Sequence, residues 1–419
     1  MTGTLEQMIR HEGGRVLATL VRLTGDITIA EDAVQDAVVD ALRRWPRDGV
    51  PNNPAAWLTT AARHRALDVL RREARRSAKE ADARLLDEVT LAVREDTSDS
   101  MVRDDLLRLL FTCCHPALSF EARTALALRT LCGLNTGEIA ALFLVPEPTM
   151  GQRISRAKKK IATAHIPYRI PLDHELPDRL PAVLAVIHAI VTAGHHAPEG
   201  RLDARVDLAA EGVRLARLLH GLMPDEPECT GLLSLALVTY ARRGARLDAD
   251  GALVLLADQD RSLWDHEMIA DAAGLLDRAV HLKRPGQYQV QAAIACLHAL
   301  APTYASTDWF EIASLYATLE RFLPTPVVRV NRAVAVAEAG GGAAGASAGL
   351  ALLDQMDTAV VARWHLYWST RGELLHRLGR TDEAVVAFEE AVACSPNESD
   401  LQFLLQRRRT IAGEGPQPA

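Results

Sequence analysis

At 419 residues the chain has room for two or three domains, each with its own core. Apolar residues make up 48% but aromatics only 5%, so the interior must be built from Ala, Leu and Val, which favours helices over sheets. A formal net charge of −7 excludes a protein that coats nucleic acid through bulk charge, and any such contact has to come from local basic patches.

Residues 5–23 read as the first helix, with Leu5, Met8, Ile9, Val16, Leu20 and Leu23 as its apolar set. Gly25-Asp26 breaks it, and Thr28 with Glu31 predicts a capping box that opens a second helix. That helix is expected to bury Val34, Ala37, Val38, Ala41 and Leu42 and to leave Asp32, Gln35, Asp36 and Asp40 outward. Turn formers over residues 45–54 predict a loop. Asn53 then caps a third helix with Pro54 at its first position. It starts apolar and ends basic, at Arg71, Arg72, Arg75 and Arg76. Residues 77–103 carry Glu80, Asp82, Asp87, Glu88, Glu95, Asp96 and Asp99, which predicts an acidic, partly disordered linker.

The triplet Cys113-Cys114-His115, with Cys132 later, raises a metal site. Adjacent helical cysteines do not easily both point at one ion, and the paired spacing of such sites is missing, so buried thiols packing a helical core are expected and no metal. The six cysteines imply no disulfide framework. No apolar run is long enough to cross a bilayer, and the first residues lack a basic-then-apolar export pattern, so a cytoplasmic protein is expected.

Residues 136–145 predict a short helix with Thr136 as N-cap and Glu138 in the first turn. Pro146 and Pro148 fit only the first turn of a following helix, which fixes its start. In that helix Met150, Ile154, Ala157 and Ile161 share one apolar seam. Thr149, Gln152, Arg153, Arg156 and Lys160 fall on other faces, with Arg153, Arg156 and Lys160 in one stripe. A short helix, a tight turn and a second helix with a basic outer face describe a helix-turn-helix, the second helix suited to a major groove.

Two motif sets in this order resemble bacterial extracytoplasmic-function sigma factors of the sigma-70 family. Asp32-x-x-Gln35-Asp36, a loop, then Trp57-Leu58 and Ala62-Arg63-His64-Arg65 through Asp68 to Arg71-Arg72 resemble region two. The stretch from Thr136 to Lys158 resembles region four, and the likeness covers residues 5–165. It departs at His64, where Asn is common, at Gly151, where a basic residue is common, and at Pro146, which replaces a Ser-type cap. The resemblance implies that Asp32, Gln35 and Asp36 dock on the β′ clamp helices of core RNA polymerase, with the β flap as a further contact. It implies that the loop 47–53, with Arg47, Asn52 and Asn53, captures a flipped base of the −10 element. Trp57, Arg63, His64, Arg65, Arg71 and Arg72 would lie along the −10 strand. Thr149, Gln152, Arg153, Arg156, Lys158 and Lys160 would meet the −35 promoter DNA.

Beyond residue 165, Pro167, Pro171, Pro177 and Pro181 predict a stiff crossing into helix-length apolar segments. Trp368, Gly372, Leu375, Gly379, Ala384, Phe388, Ala391 and Pro396 match tetratricopeptide spacing. Residues 331–340 and 350–353 resemble a degenerate copy interrupted by a glycine-rich insert at 340–345. The acidic run at Asp248, Asp250, Asp258 and Asp260 reads as a loop and helix start rather than a cation site, and His195-His196 as an ordinary surface pair.

The expected architecture is all-α. Region two spans 1–76, the linker 77–103, region four 104–165, a helical TPR-like regulatory domain 166–412 and a flexible tail 413–419. No nucleophile–base pair, phosphate loop or catalytic carboxylate pair stands out, so neither enzymatic activity nor a cofactor is expected. The expected function is promoter-directed transcription initiation, with a protein partner for the C-terminal domain. The alternatives are a helix-turn-helix regulator with a ligand-sensing helical domain, and a helical-repeat adaptor.

Overall fold

The computed structural model describes residues 2–77, 99–143, 145–164, 166–172, 174–193, 202–246, 248, 254–395 and 398–413. Among these the architecture is all-α, with no strand. The chain divides into two compact units, Met1–Gly194 and His195–Ala419.

In the first unit α1 (Thr2–Thr24), α2 (Ile27–Asp48) and α3 (Pro54–Ser77) pack on one another, and α1 also packs on α4 (Asp99–Cys113). Val16, Leu20 and Leu23 of α1 meet a core that includes Leu106, Leu109 and Leu110 of α4. Next come α5 (Phe120–Thr130), α6 (Thr136–Leu142), α7 (Glu147–Thr163) and α8 (Leu176–Ala193). Helix α5 is the hub of this half, touching α4, α6, α7 and α8.

The start of α2 differs from the expected capping box. Asp26, not Thr28, is the N-cap: its carboxylate accepts from Thr28 N at 2.6 Å and Ile29 N at 3.2 Å. Glu31 is thereby released from capping and is buried. The buried face of α2 is also rotated toward Ala30, Ala33, Ala37, Ala41 and Trp45, whereas Leu42 stays exposed and Val34 and Val38 half-buried. The expected loop at 45–54 is shorter. Helix α2 continues through Pro46 to Asp48, and Gly49, at φ 84°, ends it. Pro46 forfeits the hydrogen bond to the Leu42 carbonyl, tolerable this close to the helix end. Asn53 caps α3 as expected, accepting from Ala56 N at 3.0 Å.

The last residues of the expected linker, from Asp99, are the first turn of α4. Glu80, Asp82, Asp87, Glu88, Glu95 and Asp96 lie outside the described residues. The expected stiff crossing packs on the first unit instead. The Tyr168 hydroxyl donates to one of two acceptors in reach, Ala18 O at 2.8 Å and Asp105 O at 2.9 Å. Arg169 and Glu175 form a bidentate pair, and Arg179 donates to Phe111 O at 2.7 Å. Pro177 and Pro181 fall inside α8, which packs on α4 and α5. The first unit therefore runs past residue 165.

The second unit is a chain of helices, most of them packed on their sequence neighbours: α9 (Leu202–Leu222), α10 (Pro227–Ala241), α11 (His266–His281), α12 (Gln287–Leu300), α13 (Trp309–Phe322), α14 (Pro326–Gly340), α15 (Gly342–Asp354), α16 (Thr358–Val361), α17 (His365–Arg377), α18 (Thr381–Ala393) and α19 (Glu398–Ala412), with α15 packing on α17 past the short α16. Such near-neighbour packing is the hallmark of helical repeats. Residues 340–345 are not an inserted loop. Only Gly341, at φ 61°, interrupts the helices, and Gly345 and Gly349 let α15 press against the Ala337 and Ala333 carbonyls of α14. Asp260 caps a 3₁₀ turn at Arg261–Leu263 and Asp265 caps α11. Asp250, His195, His196 and Pro396 lie outside the described residues.

The pair α17–α18 meets at Gly372, Leu375, Ala384, Phe388 and Ala391, and each of these residues is buried. A Cβ on Gly372 would stand 2.6 Å from Phe388 Cδ2. Phe388 is only 2% exposed and is packed in the core that α17 and α18 share with α14, α15 and α19. Gly372→Ala is therefore expected to destabilise the second unit despite the better helix propensity of Ala. Overpacking costs about 1–3 kcal/mol, and a thermal melt should show a fall of a few degrees.

Candidate polymerase and promoter interface

The sequence dictates the face that α7 shows to solvent. Met150, Ile154, Ala157 and Ile161 are each buried against the first unit's core, as their spacing predicts. Pro146 is the N-cap residue and makes no side-chain cap; Pro148 occupies the first turn. The short α6 is capped by Asn135 rather than Thr136. Asn135 Oδ1 accepts from Glu138 N, and Glu138 Oε2 accepts from Asn135 N, each at 2.8 Å. Helices α6 and α7 pack together as a helix-turn-helix.

With the apolar seam inward, Thr149, Gln152, Arg156 and Lys160 are exposed. Arg153 is half-buried, its guanidinium 5.8 Å from the Phe143 ring centre. Lys160 Nζ donates to Ala117 O. Lys158 is different: its side chain is only 18% exposed and its ammonium pairs with Glu31.

On α2, Asp32, Gln35 and Asp36 are all exposed and lie within two turns, as a charge-complementary docking face requires. Asp40, a turn further on, pairs with Arg65 of α3 at 2.9 Å, and that hydrogen bond holds its carboxyl below the usual range. Arg47 and Asn52 are exposed, as is Asn53, whose Oδ1 is engaged in capping α3. Trp57 is half-buried, edge-on to the buried Trp45 at 5.4 Å between ring centres. His64, Arg65, Arg71 and Arg72 are exposed along α3. Arg63 is turned partly inward, where burial and neighbouring Arg22 lower its pKa.

One cluster escaped the sequence reading. Asp105 of α4 is 1% exposed and pairs with Arg22 of α1 at 3.0 Å and with Arg108 at 3.1 Å. Burial pushes its carboxyl up even though Arg22 hydrogen-bonds it. Its partner Arg22 lies 83 residues away, so no local periodicity could reveal the pair.

Cys113 and Cys114 are buried, and burial pushes the Cys113 thiol up to about 12. Cys113 Sγ lies 3.3 Å from Thr130 Oγ1, while His115 Nδ1 accepts from Ala117 N. These groups pack α4 against α5. No helix among the described residues is long and apolar enough to cross a membrane.

In the second unit a recess of about 730 Å³ is walled by His298, Tyr304, Trp309, Tyr316 and Phe403. Along it runs a network of paired charges. Arg377 bonds Glu338 at 2.7 Å, and Arg407 bonds Glu373 at 2.8 Å. Burial lowers His298 to about 4, so the ring is neutral at physiological pH.

An acidic helix face, a basic helix and then a helix-turn-helix with a polar outer surface follow one another along the first unit. Comparison with known proteins makes the class explicit. Sigma-70 region 2 matches residues 8–76, and Sigma-70, region 4 matches residues 108–161. The chain belongs to the sigma-70 family and is a sigma factor of the extracytoplasmic-function type with a helical C-terminal extension. Residues 179–280 of that extension match a family of unknown function (DUF6596). An uncharacterized protein, R00370, from Rhizobium meliloti (strain 1021) is 42% identical over 417 residues, covering 99% of this chain and 97% of that one. No solved structure matches significantly. Factors of this family act in transcription initiation with core RNA polymerase and promoter DNA, and are not enzymes.

Proposed function

We propose that this cytoplasmic factor grips core polymerase through Asp32, Gln35 and Asp36 of α2. It would read the −10 element with the 47–53 loop and α3, and the −35 element with α7. The supporting observation is the division of α7 into a buried seam and a solvent stripe, Thr149, Gln152, Arg156 and Lys160, facing away from the core. On α3 the exposed residues Arg71 and Arg72 are the best placed for phosphates. The second unit regulates this activity. Its aromatic recess, lined by ion pairs that satisfy one another, suits a segment of a partner protein.

Run-off transcription with core polymerase is the direct test: purified full-length chain should select start sites that core polymerase alone does not. Neutralising the docking face with Asp32→Asn and Asp36→Asn should weaken polymerase binding about tenfold, with the melting temperature unchanged. Unaltered affinity would remove α2 from the interface.

A further inference from the structure

We propose that Glu31 is an internal latch: it ties Lys158 of α7 to α2 and keeps that charge from DNA until polymerase engages the acidic residues beside it. This rests on α7 being the promoter-reading helix. Glu31 is 8% exposed on a helix whose next residue, Asp32, is open to solvent. Its Oε1 accepts from Arg129 Nε of α5 at 3.0 Å, and its Oε2 accepts from Lys158 Nζ of α7. Asp26 already caps α2, so the carboxylate serves no helix end. Lys159 and Lys160 are exposed, whereas the Lys158 side chain is 18% exposed. An ammonium committed to a buried carboxylate cannot also neutralise a phosphate.

The span of a promoter points the same way. Elements centred 10 and 35 base pairs upstream are about 25 base pairs apart, roughly 85 Å along the duplex. A compact unit of 194 residues has a radius of gyration of only about 16 Å. Regions two and four, packed in one such unit and tied by Glu31, have to part before both elements are read. The tie sits where polymerase can undo it. Gln35 is one helical turn from Glu31 and shares with Glu31, Arg129, Val34 and Val38 a recess of about 280 Å³. A partner seated on Asp32 and Gln35 competes with the latch, and by linkage an open latch favours that partner.

The test uses the full chain and a fluorescent mixed-sequence duplex of about 30 base pairs, with anisotropy read between about 50 and 200 mM salt. Glu31→Gln keeps the side-chain shape and removes the charge. It should bind the duplex roughly three- to tenfold more tightly at low salt, with a salt slope steeper by about 0.9, the signature of one more phosphate contact. Adding Lys158→Ala should cancel that extra slope. Asp178→Asn, which removes the same charge from an exposed site on α8, should leave the slope alone. Glu31→Asp keeps the charge but withdraws the carboxylate, and should steepen the slope as Glu31→Gln does. With core polymerase present, wild type and Glu31→Gln should bind alike. Equal slopes for wild type and Glu31→Gln, or an equal gain from Asp178→Asn, would overturn the latch. Arg156→Ala in the Glu31→Gln background separates the two claims. If it leaves duplex binding unchanged, the promoter-reading role of α7 falls, and the latch with it. If it weakens binding although Glu31→Gln gave no gain, the latch alone falls.

Discussion

A chain ending at His165 is expected to aggregate or to lack a cooperative melt, whereas one ending at Gly194 should fold. Both lack the second unit, so the difference isolates the Tyr168 crossing and α8. Val183, Val186, Ile187 and Ile190 of α8 are each 0% exposed, and α8 packs on α4 and α5. Burying a Val or Ile side chain is worth about 1.5–3 kcal/mol. Summed over those residues, the loss is comparable with the whole stability of a domain, about 5–15 kcal/mol. The shorter chain also strips the Tyr168 hydroxyl from Ala18 O and Asp105 O, and Arg179 from Phe111 O. Gel filtration and circular dichroism melts of both truncations decide the matter. Two equally well-behaved fragments would mean that α8 is an ornament on region four. A transcription assay of the C-terminal extension's role should therefore cut after Gly194, because a cut at 165 confounds regulation with unfolding.

Arg156→Ala together with Gln152→Ala should abolish discrimination between promoters while leaving the melting temperature within a degree or two. Both side chains are exposed, and their loss opens no cavity. One bidentate contact to a base is worth about 1–3 kcal/mol, so the pair should reduce promoter-specific transcription by more than tenfold. Polymerase affinity should not change, since the proposed docking residues lie on α2. Unchanged start-site selection would reassign α7 to a structural role. Arg153 is a poorer choice for this experiment: with its guanidinium set against Phe143, a change there would mix packing with recognition.

Period and punctuation carried much of this structure. The seam of α7 was legible because four apolar residues at helical spacing, behind two prolines, admit one face and one start. Asn53 capped where its proline neighbour said it would. Elsewhere more than one residue could do the same job. Asp26 and Thr28 both suit a cap, and the carboxylate upstream took it, which left Glu31 to a partner 127 residues away. In α2 the expected buried set mixed two stripes, Ala37 and Ala41 on one and Val34, Val38 and Leu42 on the other. The Ala30, Ala33, Ala37 and Ala41 stripe won, as closely packed helices favour small residues. Prolines between 167 and 181 suggest a spacer only when Tyr168 and Arg179 have no known destination. Ties such as Arg22–Asp105 and Glu31–Lys158 depend on tertiary proximity, which no local pattern encodes.

Helix α8 belongs by its contacts to the first unit, yet the family of unknown function begins to match at residue 179, inside that helix. The seam that recombination would have to cut is therefore not where the sequence families meet. A gene fusion made at that meeting point would tear a helix in two. The boundary to graft across lies after Gly194, so that α8 stays with the promoter module and the extension moves without it.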